Sequence, residues 1–248
     1  MIGRVLAGVC ALLLVVALAG CGTGRSEGGG TLTVLAAASL TDVYEDLADD
    51  FEAEHAVEVD LALGSSTDLA EQAADGAPGD VLATADEASM QIAEHAGVTG
   101  EVVTFATNVL VVVTPPGNPA GIESLDDLAD ATWVRCADVV PCGRVALDVL
   151  EANGITAEPA SLEEDVRATL DKVSSGEADA GLVYATDAVA AGDGVETIEI
   201  PGADEHLTSY VAAPLEGAQD PDLAQAWVDL LTSQPGQRVL ADAGFGLP

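Results

Sequence analysis

The sequence predicts an α/β protein built as two lobes, each a sheet flanked by helices. Three observations carry that expectation. Short apolar runs alternate with stretches whose apolar residues recur every three and four positions, as strands followed by amphipathic helices do. The alternation breaks at Pro115-Pro116 and then starts afresh, which gives two such units in one chain. Of the 248 residues, 49% are hydrophobic but only 3% are aromatic, so the core is built from aliphatic side chains on regular elements. Strand–helix alternation places helices on both faces of a parallel sheet, and an apolar fraction of this size argues against disorder.

The elements follow in order. Residues 31–36 (TLTVLA) form a buried strand, and residues 40–51 a helix with Leu40, Val43, Tyr44, Leu47 and Phe51 on one face. Residues 57–63 are a second strand, with Val57, Val59, Leu61 and Leu63 alternating. A helix opens at residues 69–74, a short strand covers 80–83 and a helix 87–94. The very apolar run 108–114 (NVLVVVT) precedes the two prolines. After them, Ser124 to Leu128 opens a helix and residues 132–136 are a strand. Residues 143–153 are a helix that stops at Asn153-Gly154. Residues 163–173 are a helix, 178–184, 195–200 and 207–213 are strands, and 222–231 and 235–241 are closing helices. No long internal repeat is present.

The N-terminus reads as a targeting segment. Arg4 precedes an uncharged apolar run over residues 5–19. A membrane-spanning helix needs roughly 20 such residues, so residues 1–20 form a signal peptide. The run ends in Leu18-Ala19-Gly20-Cys21, which resembles the lipobox of bacterial lipoproteins. That resemblance implies cleavage before Cys21 and lipid on the new N-terminus, against plain secretion as the alternative. Residues 21–30 would then be a lipidated, Gly-rich tether. Of the four cysteines, Cys10 lies in the signal core, and only Cys136 and Cys142 fall in the body. An exported compartment permits a disulfide between them. The alternatives are a metal site, for which two Cys without a nearby His are a poor set, or a reactive thiol.

Charge excludes several partners. The chain carries 43 acidic residues against 7 basic ones, a formal charge of −36. Phosphate contacts need clustered Lys and Arg, which argues against nucleic acid, and the same shortage argues against a polybasic membrane surface. The acids are scattered over the chain without a spaced ligand loop for a cation, so a solvated acidic surface is the simpler reading.

Seven segments resemble one family. They are Leu35-Ala-Ala-Ala-Ser39-Leu-Thr-Asp42, Gly64-Ser65-Ser66-Thr67-Asp68-Leu69-Ala-Glu-Gln72 and Gly76-Ala-Pro-Gly-Asp80-Val. Beyond the prolines come Val139-Val-Pro141-Cys142-Gly143-Arg144, Glu164-Asp165-Val166-Arg167, Ala180-Gly-Leu-Val-Tyr184-Ala-Thr-Asp187-Ala and Ala243-Gly-Phe245. In this order they resemble the molybdate-binding proteins of ABC transporters, over residues 31–248. The resemblance implies a type II periplasmic-binding-protein fold: two α/β lobes, two crossover hinge strands near residues 107–114 and 207–213, and an oxyanion in the cleft. Lobe 1 would comprise residues 31–110 and 212–248, and lobe 2 residues 111–211. The implied protein is not an enzyme and carries no cofactor. Its ligand is molybdate or tungstate, with another oxyanion such as sulfate as the alternative. Its partners are a membrane permease and, through the lipid, the outer face of the cytoplasmic membrane. It is expected to be a monomer.

The resemblance also implies the ligand set: the hydroxyls and amides of Ser39 and Ser66, the backbone amides of Cys142 and Val166, and the hydroxyl of Tyr184. The family commonly has Ala at the position of Cys142, and an amide donor survives that change. Molybdate is a tetrahedral dianion with no proton to donate near neutral pH, so its site must supply donors. Helix starts do, through unpaired N–H groups and the helix dipole. Each position also has a plain structural reading. Ser39 and Ser66 suit N-caps, Val166 the buried face of a helix, and Tyr184 a core position. Asp42 is read as support for the helix after Ser39, and Arg144 and Arg167 as surface or cleft-rim residues. A serine hydrolase is the competing class, but Gly64-Ser65-Ser66-Thr67-Asp68 lacks the Gly-x-Ser-x-Gly elbow, and His55, His95 and His206 have no supporting motif.

Overall fold

A computed structural model describes residues 29–248. The expected signal peptide with Cys10, the expected lipidation position Cys21 and the expected tether up to residue 28 lie outside the described residues.

Two five-stranded sheets form. The first has the order β2-β1-β3-β10-β4, from β1 (Thr31–Ala37), β2 (Glu58–Gly64), β3 (Val81–Thr84), β4 (Val103–Asn108) and β10 (Thr208–Pro214). The second has the order β7-β6-β8-β5-β9, from β5 (Leu110–Thr114), β6 (Trp133–Cys136), β7 (Ser161–Glu163), β8 (Ala180–Tyr184) and β9 (Glu196–Glu199). Neither sheet is purely parallel. Strands β1, β2 and β3 run parallel, as do β6, β7 and β8. The strand that arrives from the other lobe runs against them: β10 is antiparallel to β3 and β4, and β5 to β8 and β9. A chain that crosses over and enters a sheet directly, without a covering helix, has no reason to keep the βαβ direction.

The apolar run 108–114 is not one strand. Asn108 ends β4 in the first sheet, Leu110 starts β5 in the second, and Val109 alone joins them. The return passes through residues 200–207, and β10 belongs to the first sheet from Thr208 onward. The expected lobe boundary at 211/212 therefore falls inside a continuous strand, and Leu110 already pairs with Tyr184 in the second sheet. A strand is placed by its ladder bonds, and apolar pattern alone does not show where a ladder changes partner.

The helices cover the sheet faces: α1 (Thr41–His55), α2 (Ser66–Ala74), α3 (Glu87–Ala96), α4 (Pro141–Ala152), α5 (Val166–Ser174), α6 (Ala185–Ala191), α7 (Pro221–Thr232) and α8 (Gln234–Asp242). Their starts differ from the periodicity in ways that caps explain. Helix α2 begins at Ser66 because Ser65 is its N-cap, accepting from the Asp68 N–H. Helix α4 begins with Pro141, whose missing N–H costs nothing at that position. Helix α5 begins at Val166, three residues later than the pattern suggests. Ser161–Glu163 pairs with β6 as a strand, and Asp165 caps the helix by accepting from the Ala168 N–H at 2.9 Å. The segment after Ser124 is a 3-10 helix, Leu125–Asp130, with a Ser124/Asp127 capping box. Strand β4 and helix α6 are not anticipated by the periodicity.

The chain's end returns to the first lobe. Trp227 of α7 is buried edge-on against Tyr44 and Phe51 of α1, with ring centroids 5.4 and 5.2 Å away. These aromatics sit at the joint between the terminal helices and the first sheet, a second aromatic group of Phe105, Tyr184, Tyr210 and Phe245 lies toward the crossover strands, and most of the remaining core is aliphatic.

Candidate functional site

The parallel strands of both sheets end toward one cavity, as ligand sites in open α/β sheets do. Just past β1 lies Ser39, past β2 Ser66, past β6 Cys142, and past β7 Val166, while Tyr184 is the last residue of β8. All five predicted residues line a single cavity of about 20 Å³, and all five are buried. Pockets for drug-sized molecules run to roughly 300–1,000 Å³, so this one suits a small ion. The lining draws on residues 38–85 from the first lobe and residues 140–184 from the second.

Local geometry shows what each residue offers. Ser66 is the first residue of α2, Cys142 the second of α4 and Val166 the first of α5. Backbone N–H groups at these positions have no acceptor within their own helix. Ser66 is not the N-cap; Ser65 fills that role, and the Ser66 Oγ instead accepts the Ala85 N–H at 3.0 Å. The Ser66 Oγ makes no other hydrogen bond among the described residues, so its O–H is free to donate. Ser39 is not an N-cap either. It sits inside the 3-10 turn Ala38–Leu40, makes no capping bond, and places its Oγ 2.7 Å from the Tyr210 hydroxyl. Tyr184 ends its strand with a fully buried hydroxyl that has no partner among the described residues. Burial pushes the Tyr184 hydroxyl well above its ordinary pKa, so it keeps its proton as a donor.

Among the described residues no Lys, Arg or His lines the cavity. One carboxylate does, Asp165, and it is turned onto its helix as the α5 N-cap. The arrangement is thus a set of neutral hydroxyl and amide donors at three helix N-termini, with the positive ends of the helix dipoles converging. Among the described residues none of the three serines that line the cavity, Ser39, Ser65 and Ser66, bonds to a histidine or to a carboxylate side chain that could act as its base.

Arg144 and Arg167 stand at the rim, and both ion-pair across the cleft. Asp42 does not turn back to Ser39 but pairs with Arg167. Cys136 and Cys142 are joined by a disulfide. It ties the end of β6 to the turn that carries the Cys142 amide.

The sequence model of the bacterial extracellular solute-binding proteins matches residues 32–246. The chain belongs to that family. A molybdate-binding protein ModA from Mycobacterium bovis is 36% identical over 253 residues, covering 97% of this chain and 97% of its own. The Escherichia coli molybdate-binding protein ModA is 34% identical, over 87% of this chain and 89% of its own. Among solved structures, the Azotobacter vinelandii periplasmic molybdate-binding protein superposes with a TM-score of 0.79 at 22% identity, over 88% of this chain and 99% of that one. This last match carries the fold. The family binds solutes outside the cytoplasm and is not enzymatic, which agrees with a cavity that has donors and no reactive group.

Sequence reasoning missed the residues behind the cavity. Tyr210 and Asn108 back Ser39, and Asp187 lies fully buried beside Tyr184, accepting the Tyr184 N–H at 3.2 Å. A signal existed for Asn108, the one amide in the otherwise apolar run 108–114.

Proposed function

We propose that this chain is an extracytoplasmic lipoprotein that captures molybdate, and equally tungstate, between its lobes and delivers it to an ABC importer. The observation that carries the reading is a cavity built from both lobes and lined by hydroxyl and helix-start amide donors with no cationic side chain. A tetrahedral dianion accepts hydrogen bonds on every oxygen and donates none, and this cavity offers donors from separate directions. In this reading the Ser39 and Ser66 hydroxyls and amides hold the anion from the first lobe. The Cys142 and Val166 amides and the Tyr184 hydroxyl hold it from the second. No net positive charge is needed. Distant surface carboxylates are screened over about 8 Å at physiological salt, while short hydrogen bonds in the cleft are not. The lipobox at Cys21 supports the anchored form, and the mass of the mature N-terminus tests it.

Calorimetric titration of the purified protein with molybdate, tungstate, sulfate and phosphate is the deciding experiment. Molybdate and tungstate should bind alike, because their size and charge are nearly the same. Ser39→Ala and Ser66→Ala should each weaken binding by about 1–3 kcal/mol, the range for a hydrogen bond to a charged group. Absence of heat with both molybdate and tungstate would sink the assignment.

A further inference from the structure

Two arginines flank the cavity, and neither lines it. Arg144 lies two residues beyond Cys142 on α4, and Arg167 one residue beyond Val166 on α5. Each reaches across to the first lobe. Arg144 Nε and Nη2 lie 2.7 and 2.6 Å from Asp86 Oδ2, and Nη2 donates to Ser89 Oγ at 2.8 Å. The other oxygen of Asp86 accepts the Ser89 N–H at 2.9 Å as the α3 N-cap, so the carboxylate is fixed before the arginine meets it. Beside this pair, Thr67 donates from α2 to the Val139 carbonyl at 2.9 Å. The second crossing uses other helices. Arg167 pairs with Asp42 of α1, and its Nε lies 3.2 Å from Oδ1 of the buried Asp187 behind it.

We propose that Arg144 and Arg167 are positioning residues that clasp the two lobes shut and set how long the anion is held, without touching it. The inference rests on the anion-binding reading of the cavity. Each arginine is spaced one or two residues from an amide donor on its own lobe. Each bonds to a residue close to a hydroxyl donor on the other: Asp42 is three residues beyond Ser39, and Thr67 follows Ser66. The donors and the clasps therefore come into register together. Ion pairs that span the cleft exist only while it is closed, so they bias the closed population and the anion benefits indirectly. The side chains of Arg144 and Arg167 are 32% and 25% exposed, so solvent screening limits each pair. About a two- to fivefold effect on release per clasp is the appropriate scale.

Asp86→Asn and Asp42→Asn give the discriminating test, alongside Arg144→Gln and Arg167→Gln. Removing a carboxylate near a bound dianion should tighten binding if only the field matters. A clasp predicts the reverse sign. Asn caps a helix as well as Asp does, so Asp86→Asn keeps α3 intact. The readout is release of radiolabelled molybdate from the purified protein after dilution into excess unlabelled molybdate. All four variants should release about two to five times faster than wild type, with association rates little changed. Wild-type or slower release in both Asp variants overturns the clasp. If wild type binds neither molybdate nor tungstate, the reading of the cavity fails instead. Hydrogen exchange then tests the clasp without a ligand: amides of residues 64–70 and 139–146 should exchange faster in the variants, and unchanged exchange refutes it.

Discussion

The hydroxyls of Ser39 and Tyr210 lie 2.7 Å apart, and Asn108 stands behind them, 3.4 Å from the Tyr210 oxygen. The Val109 N–H donates to Asn108 Oδ1 at 2.9 Å, which fixes the opposite end of that amide as nitrogen. Nitrogen only donates, and it does so to Thr186 Oγ1 at 2.8 Å and to Tyr210 Oη at 3.4 Å. Either hydroxyl of the Ser39–Tyr210 pair can be the donor, and the Asn108 contact favours the arrangement in which Tyr210 gives its proton to Ser39. In that arrangement the Ser39 proton is free to point into the cavity. A short polar chain through the hinge between β4 and β5 thus backs one cleft hydroxyl.

Tyr210→Phe breaks this chain but keeps the ring, which packs edge-on against Tyr184 and Phe245 with centroids 6.0 and 5.2 Å away. Anion affinity should fall by about 0.5–1.5 kcal/mol, the net worth of one hydrogen bond, as read by calorimetry. Affinity equal to wild type would mean that Ser39 is oriented without Tyr210.

Gly143 holds the turn before α4 in place. A Cβ there would lie 1.8 Å from the Ala137 carbonyl oxygen, which already accepts the Val140 N–H at 3.1 Å. Relief requires the start of α4 to shift, and the Cys142 amide shifts with it. Gly143→Ala should therefore destabilise the protein by about 1–3 kcal/mol and weaken anion binding together. Gly194→Ala, which meets nothing within 4 Å, is the control and should do neither. Urea denaturation and titration of both variants check this.

The Cys136–Cys142 disulfide closes the same turn, at a separation of six residues. Closing so short a loop contributes about 2 kcal/mol in the chain-entropy treatment. Thiol labelling of the unreduced protein, read by mass, should find both cysteines unreactive. Reduction should lower the melting temperature and the anion affinity, because the loop that carries the Cys142 amide is freed. Retention of full affinity after reduction would leave the bridge a purely structural role.

Helix faces were legible because burial repeats along a helix: Val43, Tyr44, Leu47 and Phe51 are all buried on α1. Helix starts were less so. In Ser65-Ser66 and in Glu163-Glu164-Asp165 several adjacent residues suit a cap, and only the direction of a side chain selects Ser65 and Asp165. The five cavity residues came from the resemblance to a family, and local pattern alone favoured N-caps for both serines. Their backing was hidden for a different reason. Ser39 and Tyr210 are 171 positions apart, and Asp42 and Arg167 are 125 apart. Such pairs are made by the crossover topology, which periodicity does not encode. Asp42 looked like a partner for Ser39 because sequence shows only near neighbours.

Asp187 makes stability depend on pH with an unusual sign. It is fully buried on α6, and burial pushes its carboxyl up to about 7, against the opposing pull of Arg167 and of the Tyr184 N–H. In the unfolded chain the same group titrates near ~3.9. Between these values the folded protein holds a proton that the unfolded chain has released. Asp187 therefore favours folding at low pH, and its contribution declines as pH rises from about 4 to about 7. An ordinary salt-bridged carboxylate would do the opposite. Asp187→Asn removes the titration while keeping the shape. Urea denaturation of both proteins at pH 5, 6 and 7.5 isolates the effect as a difference. The stability of wild type relative to Asp187→Asn should fall across this series. Arg167→Gln removes the cation that holds the carboxyl down, so in that background the decline should extend to higher pH. A wild-type advantage that grows with pH would mean instead that Asp187 is ionised and paired with Arg167 throughout.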